Sequence, residues 1–153
     1  MPLVRHDRQR RRPDMYGNIL IANDGSDGAA KALAVALKLA HRLKAKLAMI
    51  SVEEMPRVPA MIDEVVEDRL DEDHRYQQVI AQAQFHARAA QVKLDTHVVA
   101  GHAVPCIIDF IERGGFDLLV IGYMGHSALY NRLIGSTTDR LVELAPCHVL
   151  VVK

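Results

Sequence analysis

Asn18-Ile-Leu-Ile-Ala-Asn23, followed at once by Asp24-Gly25-Ser26, decides how the rest of the chain is read. A short run with almost no polar residue marks a strand buried on both faces, and such a strand needs a layer of helix on each side. Asp24-Gly25-Ser26 supplies a turn and a helix N-cap. Ala29–Leu43 then places Leu33, Leu37, Ala40 and Leu43 on one helical face.

The alternation continues outward. Lys46–Val52 reads as a second buried strand, and Glu53–Ala60, with Pro56 and Pro59, as a loop. Ile62–Val92 reads as a helix, most clearly in its second half, where Tyr76, Val79, Ile80, Ala83, Ala87 and Ala90 share one side. Leu94–Val99 is a third strand, followed by Gly101. Pro105 fits the first turn of a helix that runs on through Cys106–Arg113, and Gly114-Gly115 stops it. Asp117–Gly122 is a fourth strand, Thr137–Leu144 a short helix and His148–Val152 a fifth strand. The expected fold class is α/β, a single-domain doubly wound sheet of five parallel strands with helices on both faces. Ligands of such sheets bind at the carboxyl ends of the strands, so the loops after Asn23, Val52, Val99 and Gly122 are the places to search.

The whole chain, 153 residues, has room for one domain, and with half of it apolar it can bury a real core. Lys and Arg number 19, as do Asp and Glu, so a fold-wide electrostatic grip on nucleic acid is not expected. No run approaches the roughly 18 to 20 apolar residues of a membrane span, and no apolar run follows the basic start as in a secretory signal. Cys106 and Cys147 stand far apart without a CxxC pair, which fits a reducing cytoplasm and argues against a disulfide scaffold. Residues 1–15, with five arginines against two aspartates, read as a basic, disordered tail ahead of a domain over 16–153. A basic arm for an anionic partner is the other reading. The acidic run Asp63, Glu64, Glu67, Asp68, Asp71, Glu72 and Asp73 reads as a solvated face or loop before it reads as a cation site.

The richest chemistry lies in Gly122-Tyr-Met-Gly125-His-Ser-Ala-Leu-Tyr-Asn-Arg-Leu-Ile-Gly135-Ser136, a G-x2-G-x9-G-S pattern between a strand end and a helix start. Residues without a Cβ let backbone N–H groups approach an anion, and a helix N-terminus adds about half a positive charge. Ser136 either caps the helix or gives its hydroxyl to a phosphate oxygen, with Thr137 beside it; the glycines either serve a ligand or make tight turns. Asp24 carries a similar pair of readings, a ligand contact or an acceptor within its own turn. Arg132 either clamps phosphate or faces solvent.

With these residues the chain from about Tyr16 to Lys153 resembles the universal stress protein family. The resemblance rests on Asn18–Ser26, on Gly101 with Pro105, on Asp117–Gly122, on the complete glycine pattern and on Pro146-Cys-His-Val-Leu-Val-Val152. The spaced glycines with Ser136 point to the ATP-binding branch. The resemblance implies a flavodoxin-like sheet of order 3-2-1-4-5 with adenine nucleotide across the strand ends. Gly122, Gly125, Gly135, Ser136 and Thr137 would hold phosphates and ribose. Asp24 would lie at the ribose or near a divalent ion, such as magnesium, on the phosphates. Backbone around Val52 would meet adenine, and Ala22 stands where the family often has Pro or Val, at a contact made mostly by backbone. His126 either adds a pH-dependent positive charge near phosphate or faces solvent.

Other chemistries find little support. The histidines form no HExxH pair, His97 and His102 lie across a strand end, no GxSxG elbow appears, and Cys106 sits on an apolar helix face. Three functions therefore stand at this point: an ATP-binding stress-response module, a slow ATP hydrolase, or a nucleotide-free interaction protein of the same fold. Binding is favoured over turnover because no second carboxylate is placed to act as general base. The apolar last strand is expected at a sheet edge, where it would pair across a two-fold axis as a homodimer, as family members commonly do.

Overall fold

The computed structural model describes residues 15–54, 62–124 and 134–153, with the backbone alone for 62–73. Among the described residues nine elements alternate: β1 (Asn18–Ala22), α1 (Asp27–Leu43), β2 (Lys46–Glu54), α2 (Ile62–Ala89), β3 (Leu94–Gly101), α3 (Ala103–Gly114), β4 (Leu118–Gly122), α4 (Ser136–Leu144) and β5 (His148–Val152). The five strands form one parallel sheet of order β3-β2-β1-β4-β5. This is the doubly wound architecture and strand order expected. The Arg-rich start lies outside the described residues.

Alternate residues of the central strands feed two cores, as the period of two in a strand requires. Ile19, Ile21, Met49 and Val120 meet Leu33, Ala36 and Leu37 of α1 and Ala83 and Ala87 of α2. Leu20, Ile50, Leu119 and Ile121 meet Ile107 and Ile111 of α3 and Leu141 of α4 on the other face. Each fully buried Ile or Leu is worth about 1.5–3 kcal/mol over exposure, so the continuous apolar runs of β1, β2 and β4 hold the two layers to the sheet.

Caps fix the element ends. Ser26 caps α1 by accepting the Ala29 N–H at 3.2 Å. At the opposite end of the sheet the Asp117 carboxylate accepts the Gly17 and Asn18 N–H groups, at 2.8 and 3.1 Å, so β4 begins one residue later than its apolar run suggests. β2 and β3 run further than their sequences indicate. Glu53 pairs with Ala100 and Glu54 with Gly101, so the parallel ladder overrides the polar character of the two glutamates. β3 also differs from a strand buried on both faces: it is an edge, and Val98 is 41% exposed. The helix over Ile62–Ala89 includes the acidic half, whose side chains lie outside the described residues.

Candidate functional site

β1 is the first strand laid down and lies between β2 and β4, so the loops leaving β1 and β4 diverge and open a crevice at their carboxyl ends. A cleft of about 450 Å³ occupies that position. Its floor is apolar, from Ile50, Val52, Ile121, Ile107 and Leu141. Its rim is polar, with Asn23, Asp24, Ser26, Ser136, Thr137 and Thr138. A volume of a few hundred Å³ with a few converging polar groups is the usual form of a small-molecule site.

The exit of β1 is braced by its own side chains. Asn23 donates its N–H to the Ile50 carbonyl at 2.9 Å, and the fully buried Ser51 hydroxyl donates to the Asn23 carbonyl at 2.7 Å. The Asn23 side-chain oxygen accepts the Gly25 N–H at 2.9 Å, and Asp24 Oδ1 accepts the Ser26 N–H at 3.0 Å. Asp24 thus plays the turn role weighed for it while also lining the cleft.

The exit of β4 is braced differently. The Thr138 hydroxyl donates to the Gly122 carbonyl at 2.8 Å and ties α4 to the strand end. Tyr123 donates its N–H to the Val152 carbonyl at 2.8 Å, and Gly135 donates its N–H to the Tyr123 carbonyl at 3.1 Å. The two ends of the glycine-rich stretch are therefore pinned together. Gly135 is the N-cap residue of α4, and no side chain caps that helix among the described residues. Ser136 is its first helical residue rather than its cap. Its N–H and those of Thr137 and Thr138 belong to the first turn, whose donors have no intrahelical acceptor.

Gly122 also has a packing reason. A Cβ built there would stand 2.6 Å from the carbonyl carbon and 2.8 Å from the carbonyl oxygen of Gly28, in the first turn of α1. A Cβ on Gly28 would in turn collide with the Met124 carbonyl oxygen. Backbone meets backbone here, which draws the start of α1 against the end of β4.

Of the residues singled out from sequence, Ala22, Asp24, Val52, Gly122, Gly135, Ser136 and Thr137 all line this cleft. Gly125, His126 and Arg132 lie outside the described residues. Arg75, Tyr76 and Glu54 also line it and had no signal of their own. Tyr76 belonged to the apolar stripe of α2; its ring is buried, but its hydroxyl donates to the Val52 carbonyl at 2.7 Å. Arg75 donates to the Asp24 carbonyl at 2.7 Å. Glu54 Oε1 accepts the Ala103 N–H at the start of α3, at 3.2 Å, and its other oxygen lies 3.8 Å from His102 Nδ1. Among the described residues no group of three or more His, Cys, Asp or Glu could hold a metal ion. No described helix is long and apolar enough to cross a membrane.

These features define a doubly wound α/β protein with its cleft at the strand-end switch point. Residues 15–153 match the model of the Universal stress protein family, and the chain belongs to that family. It is 31% identical over 144 residues to a universal stress protein of Methanocaldococcus jannaschii, across 92% of this chain and 84% of that one. Its fold is similar to that of universal stress protein UspA from Lactobacillus plantarum, with a TM-score of 0.83, 30% identity and coverage of 90% and 98% of the two chains. It is also similar to a universal stress protein solved in complex with cAMP, with a TM-score of 0.70, 24% identity and coverage of 91% and 98%.

Proposed function

We propose that this protein is an adenine-nucleotide-binding stress-response module that holds ATP in the strand-end cleft. The observation that carries the reading is the start of α4: a helix with no side-chain cap among the described residues, beside an apolar floor, at the end of a G-x2-G-x9-G-S stretch. The uncapped first turn offers N–H donors and the positive end of the helix dipole to phosphate, and the aliphatic floor suits the faces of a purine. Gly122, Gly125, Gly135, Ser136 and Thr137 take the phosphates and ribose. Val52 and Ala22 offer backbone to the base, with Asp24 at the ribose; His126 adds charge near the phosphates when protonated. A relative of the same fold solved with cAMP supports an adenine nucleotide as the ligand class.

A magnesium ion travelling with the phosphates suits Asp24, since that ion is usually held by one or two carboxylates together with phosphate oxygens and water. It would neutralise phosphate charge there. Asp24 Oδ1 is already an acceptor for the Ser26 N–H, which orients the carboxylate for either ribose or ion. Hydrolysis, where it occurs, is slow: Asp24 and Glu54 are the carboxylates on the described rim, and each is engaged with backbone N–H. We also propose a homodimer through β5, an edge strand whose His148 is exposed and whose Val149–Val152 are half-buried.

Denaturing freshly purified protein and weighing what is released should yield an adenine nucleotide. Calorimetry should show ATP binding that Gly125→Val abolishes with circular dichroism unchanged. No released nucleotide, and no heat with ATP, ADP or AMP, would leave the nucleotide-free interaction protein as the reading. Light scattering at micromolar concentration should return twice the chain mass; a monomer mass removes the β5 pairing.

A further inference from the structure

Resting on the nucleotide reading of the cleft, we infer that Arg75 of α2 is a specificity-determining residue that reads the phosphate charge of the ligand. Arg75 is the only cationic side chain lining the cleft among the described residues, and the acidic Asp24 and Glu54 line it as well. A polyphosphate entering that cleft meets like charge on Asp24 and Glu54, and among the described lining residues the Arg75 guanidinium is the cationic side chain that attracts it. It stands on the wall made by α1 and α2, whereas the start of α4 stands on the wall made by α3 and α4. The two positive ends of the site therefore come from opposite sides of the sheet.

The guanidinium is held before any ligand arrives. One of its nitrogens donates to the Asp24 carbonyl at 2.7 Å, and its central carbon lies 5.3 Å from the centre of the Tyr76 ring. Tyr76 is itself fixed, 6% exposed and bonded through its hydroxyl to Val52. Consecutive residues of α2 thus grip the exits of β1 and β2 at once. A guanidinium has five N–H donors, and the bond to Asp24 uses one of them, leaving a forked edge suited to phosphoryl oxygens. Such an arrangement distinguishes a charged nucleotide from the bare nucleoside, because its contribution needs oxyanions on the ligand.

Calorimetry on the full chain with ATP and with adenosine tests this, using wild type, Arg75→Ala and Arg75→Lys. Arg75 is exposed, so both variants should fold. Arg75→Ala should weaken ATP about tenfold or more, as loss of a hydrogen bond to a charged group does, and leave adenosine within about twofold. Arg75→Lys should recover part of the ATP loss, since it keeps the charge without the fork. An equal loss for ATP and adenosine would overturn the inference and reduce Arg75 to a prop for the Asp24 loop. Unchanged ATP affinity in Arg75→Ala would also overturn it. If wild type takes up neither compound, the nucleotide reading itself fails and this inference falls with it.

Discussion

Two strand-to-helix junctions stand side by side over the cleft and finish their hydrogen bonding in opposite ways. At β1–α1, the side chains of Asn23, Asp24 and Ser26 each accept a backbone N–H, so the turn and the helix start are closed from within. At β4–α4, Thr138 and the backbone of Gly135 fasten the ends, but Gly135 has no side chain to cap the helix it begins. Equivalent places in one sheet are thus closed by different means: one junction by its own side chains, the other by a clasp from strand to helix with no side-chain cap among the described residues. On the nucleotide reading proposed above, the second is the one that gives its donors to a ligand.

The largest effect is expected where the junctions touch. Gly122→Ala puts a methyl into the backbone of Gly28, and because neither neighbour is a flexible side chain, the loss should reach about 1–3 kcal/mol. Thermal or denaturant unfolding measures it; unchanged stability would show that α1 can move away from β4 at little cost. Next comes the closed junction. Ser26→Ala removes a cap and should lower stability by about 1 kcal/mol while changing ATP affinity little. The open junction should respond the other way. Ser136→Ala should stay within about 0.5 kcal/mol of wild-type stability and weaken ATP about threefold to tenfold, as for one lost hydrogen bond. If the two serines exchange these outcomes, the contrast between the junctions is wrong.

The smallest effect lies away from both. Burial raises the thiol of Cys147, a backbone hydrogen bond involving Leu119 opposes the shift, and the Asp117 charge adds to it. The folded protein therefore holds that proton more tightly than the unfolded chain. The resulting stability is complete below the ordinary thiol value of 9.0 and declines as pH rises through the raised one. Melting temperature should accordingly fall slightly less on alkaline titration in Cys147→Ala than in wild type.

Much of this frame was legible in the sequence because buried parallel strands write themselves as unbroken apolar runs. Asn18–Asn23 and Asp117–Gly122 announced the centre of the sheet, and Asp24-Gly25-Ser26 announced the cap of α1. The ladder beyond Val52 was not legible, since Glu53 and Glu54 join it through backbone pairing with Ala100 and Gly101 and not through their own preference. Nor was the α2 side of the cleft. Tyr76 reaches Val52 across 24 positions and Arg75 reaches Asp24 across 51, and no local pattern encodes a contact that the crossover of the sheet creates. Gly122 was legible as a glycine of a ligand-type motif, while its packing against Gly28 emerged only once the strand and helix were side by side.

The bond from Gly135 to Tyr123 has one more consequence. It joins the residue just past β4 to the residue that begins α4, and the Thr138 hydroxyl on the Gly122 carbonyl repeats the tie one turn on. The starting point of α4 is thus slaved to the carboxyl end of β4: a displacement of the strand end would carry the helix start with it, so the two act as one rigid corner.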